Sequence, residues 1–399
     1  MGTAGPLAGT FVLDLTRVLA GPYCTMVLAD LGARVVKVEA PERGDDARRI
    51  GPFVGDVSAY FWSLNRGKQS IALDLRAQDD REIFERLLAR ADALVENFRP
   101  GVMERLGYGF AALHARHPRL VVASTSGFGQ TGPYARRPAY DVVVQAMGGI
   151  MSLTGQPGGP PTRVGTSTGD ITAGLFTAIG VLAALVERAQ SGRGRHVDVA
   201  MLDCQVATLE NAIARFVATG EVPGPLGSRH PSITPFQAFR TQDGHIVVAA
   251  GNDALFAALA GALGRPELAS DPRYRTNDDR TRNAAALAAE LEAAFARRTS
   301  AEWLAALEAA GIPCGPLNDV AAVLADPQVR ARNMVVTADD PSAGRLSLAG
   351  NPVKLSGVED PATRPPAPRL DEHRTAILSE LEAGEREAGE IEAAEFEAG

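Results

Sequence analysis

Apolar residues in the first half of the chain fall into short, almost unbroken runs separated by amphipathic stretches. The runs are FVLDL (11–15), RVVKVE (34–39), SIALDL (70–75), ALVEN (93–97) and RLVVAST (119–125). Between them, a helical pattern over roughly 22–31 and DDREIFERLLARA (79–91) repeat with a period near 3.6. Strands that are apolar on both sides, alternating with such helices, predict a parallel sheet covered on both faces. Ligands of such sheets bind beyond the carboxyl ends of the strands. The loops there are TRVLAGP (16–22), APERGDDARR (40–49), NFRPG (97–101) and SGFGQTGPY (126–134).

The longest helical signal begins at Asp170. ITAGLFTAIGVLAALVERAQ is apolar nearly all round and stops at Ser191-Gly192, a helix C-cap signal. HVDVAM predicts a further strand and LDCQVATLENAIARFVATG a further helix. The Pro/Gly-rich EVPGPLGSRHPSITP (221–235) reads as a linker. Past it the texture changes: FQAFRTQDGHIVVAAG predicts a hairpin turning at Asp243-Gly244, and Ala-rich helices follow (284–298, 301–310). Strand character returns at 344–357, then a Pro-rich segment and a last helix. The expected organisation is a large domain over 1–220, a linker and small α+β domain over 221–330, and a return to the large domain over 331–399. The acidic tail EAGEREAGEIEAAEFEAG reads as a frayed helix.

Composition narrows the function classes. With 399 residues, 45% hydrophobic and 22% charged, the chain can bury a sizeable core. A net charge of −8 argues against a nucleic-acid partner. Three cysteines far apart (Cys24, Cys204, Cys314) and no Cys/His cluster predict inert thiols and no metal site. The N-terminus lacks a basic n-region, Pro6 spoils a myristoylation pattern, and LFTAIGVLAALV is shorter than the ~20 residues of a membrane span. A cytoplasmic protein without membrane partners is expected.

Several motifs compete as sites. Gly127 to Gly132 satisfies G-x-G-x-x-G after a strand, but Pro133 and Pro138 replace the expected helix, and no acid lies between 142 and 169. Gly67-Lys68-Gln69 lacks the rest of a Walker A loop. Gly165 to Gly169 matches G-x-S-x-G, which would make Ser167 a hydrolase nucleophile, yet the preceding residues are rich in Gly and Pro instead of forming a buried strand. Asp170 follows directly. An Asp before an apolar helix is a common N-cap, and the helix N-terminus would favour its anion. The small residues before it would let an acyl group approach. Backbone signals alone leave the choice between these neighbours open.

Taken in order, LDLTRVLAGPYCTMVLADLGARVVKVE, NRGKQSIALDL, VENFRPGVMERLG, SGFGQTGPY, AYDVVVQAMGG, VGTSTGDITAGLFTAIGVLAALVER, SGRGRHVDVAMLD and GIPCGPLNDVAAVLADPQVRARNM resemble the family III CoA-transferases. The resemblance runs from about residue 8 to about 380. It implies an α/β fold with a Rossmann-like large domain, a smaller α+β domain and an interlocked homodimer. It also implies no tightly bound cofactor, coenzyme A and acyl-CoA being substrates. The family's nucleophilic aspartate falls on Asp170, which attacks the thioester to give a mixed anhydride and then an aspartyl-CoA thioester. Water must be kept out, since either intermediate hydrolyses.

CoA contacts carried over from the family fall on Val18, Leu19, Ala20, Leu73, Asp74, Leu75, Arg76, Asn97, Phe98, Arg99, Arg105, Arg137, Tyr140 and Asp141. The arginines suit phosphate groups. Leu19 stands where formyl-CoA transferases have Gln, which argues against formyl or oxalyl specificity. The racemase branch places a His before the residue pair at 140–141, and Pro138-Ala139 supply none, so one proton-transfer partner is missing. GDDARR and the hairpin ending in Gly251-Asn252 resemble the dicarboxylate-handling subgroup, including the succinate–hydroxymethylglutarate and itaconate types. Arg48 is then expected to pair with an acceptor's distal carboxylate, and Gly251-Asn252 to form a lid over Asp170. The expected activity is an acyl-CoA:carboxylate CoA-transferase acting on dicarboxylates such as succinate. An acyl-CoA racemase and a serine hydrolase using Ser167 are the alternatives.

Overall fold

The computed structural model describes residues 5–384, and the acidic tail from 385 on lies outside them. Six of the apolar runs become strands of one parallel sheet: β1 (Phe11–Asp14), β2 (Arg34–Glu39), β3 (Gln69–Ala72), β4 (Ala93–Glu96), β5 (Val121–Ser126) and β6 (His196–Ala200). Their spatial order is β3-β2-β1-β4-β5-β6. This is the doubly wound order whose chain direction reverses between β1 and β4.

The period-2 alternation explains why the runs are apolar throughout. Val12, Val35, Ala93, Val95, Val121 and Ala123 pack on one side with Cys24, Leu28, Ala178 and Val181. Leu13, Val36, Val38, Ile71, Leu94 and Val122 pack on the other with Phe84, Leu87, Leu88 and Tyr108. Ile377 and Leu381 of the helical segment 374–384 complete that second face. The first face is built by two helices, Ala20–Asp30 and Thr168–Ser191.

The Thr168–Ser191 helix is longer than its apolar run suggested. By length and composition it is one that could cross a membrane. In the fold it lies on the sheet with Ala173, Thr177, Ala178, Val181 and Ala184 buried. Leu175, Phe176, Ile179 and Val186 on its other side stay exposed.

The described residues form two units, one comprising 5–150, 163–217 and 327–384, the other 151–162 and 218–326. Residues 151–162 therefore leave the large domain in which the sequence reading placed them. Their backbone is tied to the linker, where Gly227 N–H donates to Gly155 O at 2.9 Å. Within the second unit, β7 (Phe236–Arg240) and β8 (His245–Ala249) form the hairpin, and β9 (Cys314–Pro316) adds to β8 antiparallel. Phe239, Ile246, Phe256, Leu291, Phe295 and Trp303 make its own core. In the first unit the returning chain forms an antiparallel pair, β10 (Val335–Asp340) and β11 (Gly344–Ala349).

Candidate active site

At the reversal point two loops leave adjacent strands, 15–19 after β1 and 97–100 after β4. Between them opens a cavity of about 240 Å³, walled by Val18, Leu19, Ala20, Asn97, Arg137, Tyr140 and, at one end, Asp170. A second cavity of about 900 Å³ shares Arg17, Phe98 and Arg99 with it and is walled also by Leu73, Asp74, Leu75 and Arg76. The structure thus gathers most of the residues singled out as CoA contacts. Arg105 is exposed on the Val102–Leu106 helix and walls neither cavity, and Asp141 stands behind the first one.

The first loop is held by its backbone. Asn97 accepts Arg17 N–H through Oδ1 and donates Nδ2–H to Arg17 O, both at 2.8 Å. Val18 has φ +65°, a left-handed conformation that a β-branched residue rarely adopts, and its N–H donates to Asp45 Oδ1 at 2.9 Å. Asp45 is paired with Lys37 at 2.9 Å, both side chains fully buried, and Lys37 Nζ also donates to Thr16 O at 2.6 Å. Behind this lies a second buried pair, Lys68 with Asp14 at 3.0 Å. Lys68 also donates to Thr25 Oγ1 and Asn65 Oδ1. Burial disfavours the Asp14 carboxylate, but Lys37 and Lys68 outweigh it and hold the group well below the usual range. Lys68, unremarkable in sequence, is thus part of the floor beneath the site.

Asp170 is not the N-cap that the sequence suggested. Ser167 occupies that position, and Asp170 is the third residue of the helix, its carboxylate making no hydrogen bond among the described residues. Gly169 N–H donates to Asp141 Oδ1 at 2.8 Å, so Asp141 from the Asp141–Met147 helix does the capping. A Cβ on Gly169 would fall 2.7 Å from Val144 and 3.0 Å from Asp141. A Cβ on Gly174 would fall 2.6 Å from Ala20 O. These two glycines are small because the helix packs closely, Gly174 letting it approach the end of the first loop.

Burial, and after it the nearby Asp141 carboxylate, push Asp170 up to about 7. Burial and Asp141 thus work against the anion that the helix end favours. Burial, and after it Asp170, Asp45 and Asp141, push the Tyr60 phenol up to about 12. Nothing in its local sequence marked it.

Arg48, the expected partner of an acceptor carboxylate, is engaged within the fold. Its guanidinium grips Glu39 through Nε (2.7 Å) and Nη2 (2.6 Å), donates to Pro368 O and lies 3.8 Å from the Phe61 ring centre. Asn252 caps the Asp253–Ala262 helix, accepting Leu255 N–H at 2.8 Å, and Gly251 precedes it. Ser167 has no hydrogen bond to any histidine among the described residues, and no strand precedes it, so the hydrolase elbow is missing. His196 is engaged with Ser124 at 2.9 Å and stacked on Phe110. No group of three or more metal-ligating side chains occurs among the described residues.

Comparison with known proteins places this geometry. A family model described as CoA-transferase family III matches residues 7–374. The acetyl-CoA:oxalate CoA-transferase of Acetobacter aceti is 50% identical over 382 residues, covering 96% of this chain and 97% of that one. The succinyl-CoA:glutarate CoA-transferase of Homo sapiens is 40% identical over 382 residues, 96% of this chain and 87% of that one. A CAIB/BAIF family protein from Brucella suis superposes with a TM-score of 0.84 at 41% identity, covering 95% of this chain and 100% of the other.

Proposed function

The chain belongs to the family III CoA-transferases, and we propose that it moves CoA between dicarboxylic acids with Asp170 as the nucleophile. The observation that carries this reading is the Asp170 carboxylate, without a side-chain hydrogen bond among the described residues, in the wall of a cavity that Arg17, Arg99 and Arg137 also line. The substrate class rests on relatives named for oxalate and glutarate. The oxalate-named relative keeps oxalate among the candidate acceptors, against the expectation drawn from Leu19.

In this reading CoA lies along the two cavities, its phosphates toward Arg76 and Arg99 and its thioester toward Asp170. Asp170 in its ionised form attacks the acyl carbonyl; a mixed anhydride forms and CoA thiolate leaves. The thiolate attacks the aspartyl carbonyl, giving the aspartyl-CoA thioester and releasing the first acid. An acceptor carboxylate repeats the steps in reverse. Each step exchanges one activated acyl bond for another of similar energy, so no further energy source is needed.

The chain acts as a homodimer in this proposal. Leu175, Phe176, Ile179 and Val186 on one helix, Ile213, Phe216 and Val217 on another, and Val142, Val143 and Met147 on a third are exposed apolar side chains that a second copy would cover. Light scattering on the purified protein would report twice the chain mass. The catalytic proposal is tested by offering succinyl-CoA, acetyl-CoA and formyl-CoA to mono- and dicarboxylic acids and identifying each new CoA ester by mass. Transfer confined to monocarboxylates would overturn the dicarboxylate assignment, and full activity in Asp170→Ala the nucleophile.

A further inference from the structure

Asp141 is contacted from three sides. Gly169 N–H reaches Oδ1, Gln145 Nε2 donates to Oδ2 at 2.7 Å, and Arg163 Nη2 meets the same Oδ2 at 3.4 Å. The Arg163 contact is long, its side chain is 45% exposed, and it makes no other hydrogen bond among the described residues. Two other cations of the site are engaged: Arg17 pairs with Asp46 at 3.1 Å, and Arg137 stacks 3.8 Å from the Tyr134 ring centre. Arg163 walls neither of the two cavities proposed for CoA. Through Asp141 it is joined to Gly169, the residue next to Asp170.

That corner poses an electrostatic problem for the chemistry. The acceptor is an anion, and it must bring a carboxylate oxygen to a carbonyl on Asp170 while the Asp141 charge stands beside it. Asp45 and the Tyr60 phenol add no positive charge, since both are acids. A guanidinium already resting weakly on Asp141 offsets that charge and has donors left for a second carboxylate.

We propose that Arg163 is the acceptor-carboxylate contact of the transfer reaction, pivoting from Asp141 to fork the incoming acid as it attacks the carbonyl on Asp170. This rests on the reading of Asp170 as nucleophile. One carboxylate oxygen of the acceptor attacks the aspartyl-CoA carbonyl; the new C–O bond forms as the C–S bond breaks, and the thiolate leaves. The thiolate then attacks the acceptor's own carbonyl carbon in the anhydride, and the Asp170 carboxylate is released. No proton is gained or lost. The second N–H pair of the guanidinium holds the carboxylate in line for the first of these steps.

The test is steady-state kinetics on the purified full chain with acetyl-CoA and oxalate or succinyl-CoA and glutarate, whichever pair the wild type turns over. Arg163→Gln is expected to raise the acceptor KM about tenfold or more while the thioester KM stays within about twofold. Arg163→Lys should recover part of the loss, because a point charge replaces the fork. An unchanged acceptor KM, or both KM values rising together, overturns the assignment, as does a variant in which only the pH profile moves. A wild type that transfers CoA to no acid would remove the CoA-transfer reading itself, whereas an active wild type with an indifferent Arg163→Gln removes Arg163 alone.

Discussion

Removing the charge of Asp141 should make Asp170 a better nucleophile in acid. Asp170 rises from the ordinary 3.8 to about 7, with burial the larger cause and Asp141 the second. The Asp141 share is therefore under half, and Asp141→Asn should lower the titration by about one pH unit, equivalent to ~1.4 kcal/mol. The amide keeps an oxygen for Gly169 N–H, so the helix start stays capped. Only the ionised carboxylate attacks, and the first half-reaction should rise with pH through about 7 and level off above it. At pH 6 the wild type would be ~10% ionised and the variant ~50%, a gain of about fivefold. At pH 8.5 the two should agree within about twofold. Single-turnover release of CoA thiol from acyl-CoA, followed from pH 5.5 to 9, reads the inflection free of product release. An inflection that stays put or moves to higher pH would refute the reasoning.

Other expectations follow from the same geometry. Asp170→Asn should stabilise the fold, because the unfolded carboxyl ionises near 3.8 and the folded one near 7; wild-type stability is lost as pH rises through that window. The variant's advantage in urea unfolding should be nearly absent at pH 3.5 and reach on the order of 4 kcal/mol by pH 8; an advantage that does not vary with pH contradicts this. Lys68→Met leaves Asp14 buried with one partner fewer and should lose about 3–5 kcal/mol of unfolding free energy, or fail to fold. Gly174→Ala places a methyl 2.6 Å from Ala20 O and should cost ~1–3 kcal/mol, with a larger loss of kcat than of thioester affinity. A Gly174→Ala enzyme with normal kcat would show that the helix position is not critical.

The sheet was legible because its strands are buried on both faces. Runs such as RVVKVE and RLVVAST admit few other readings, and the loops that follow them are those that wall the cavities. The hairpin turn at Asp243-Gly244 was legible for a similarly local reason. What escaped the sequence depends on distant partners. Lys37 and Lys68 look like surface charges until Asp45 and Asp14 close on them inside the sheet. Arg48 looks like an open guanidinium until Glu39 occupies it. The small residues before Asp170 suggested room for a ligand, whereas Gly169 is small to fit against Asp141 and Val144. The same partner explains the ionisation error: a helix end favours the anion, but burial and a neighbouring carboxylate outweigh it. Arg163 and Tyr60 carried no motif at all and are brought to the site only by the fold.

The central claim is that the Asp170 carboxylate forms the covalent link to substrate. Incubating the protein with succinyl-CoA, quenching with hydroxylamine and sequencing the peptides by mass spectrometry tests it directly. A hydroxamate at Asp170, absent in Asp170→Asn, is the expected result. A hydroxamate or acyl group on Ser167, or transfer activity with Asp170 unlabelled, would contradict it.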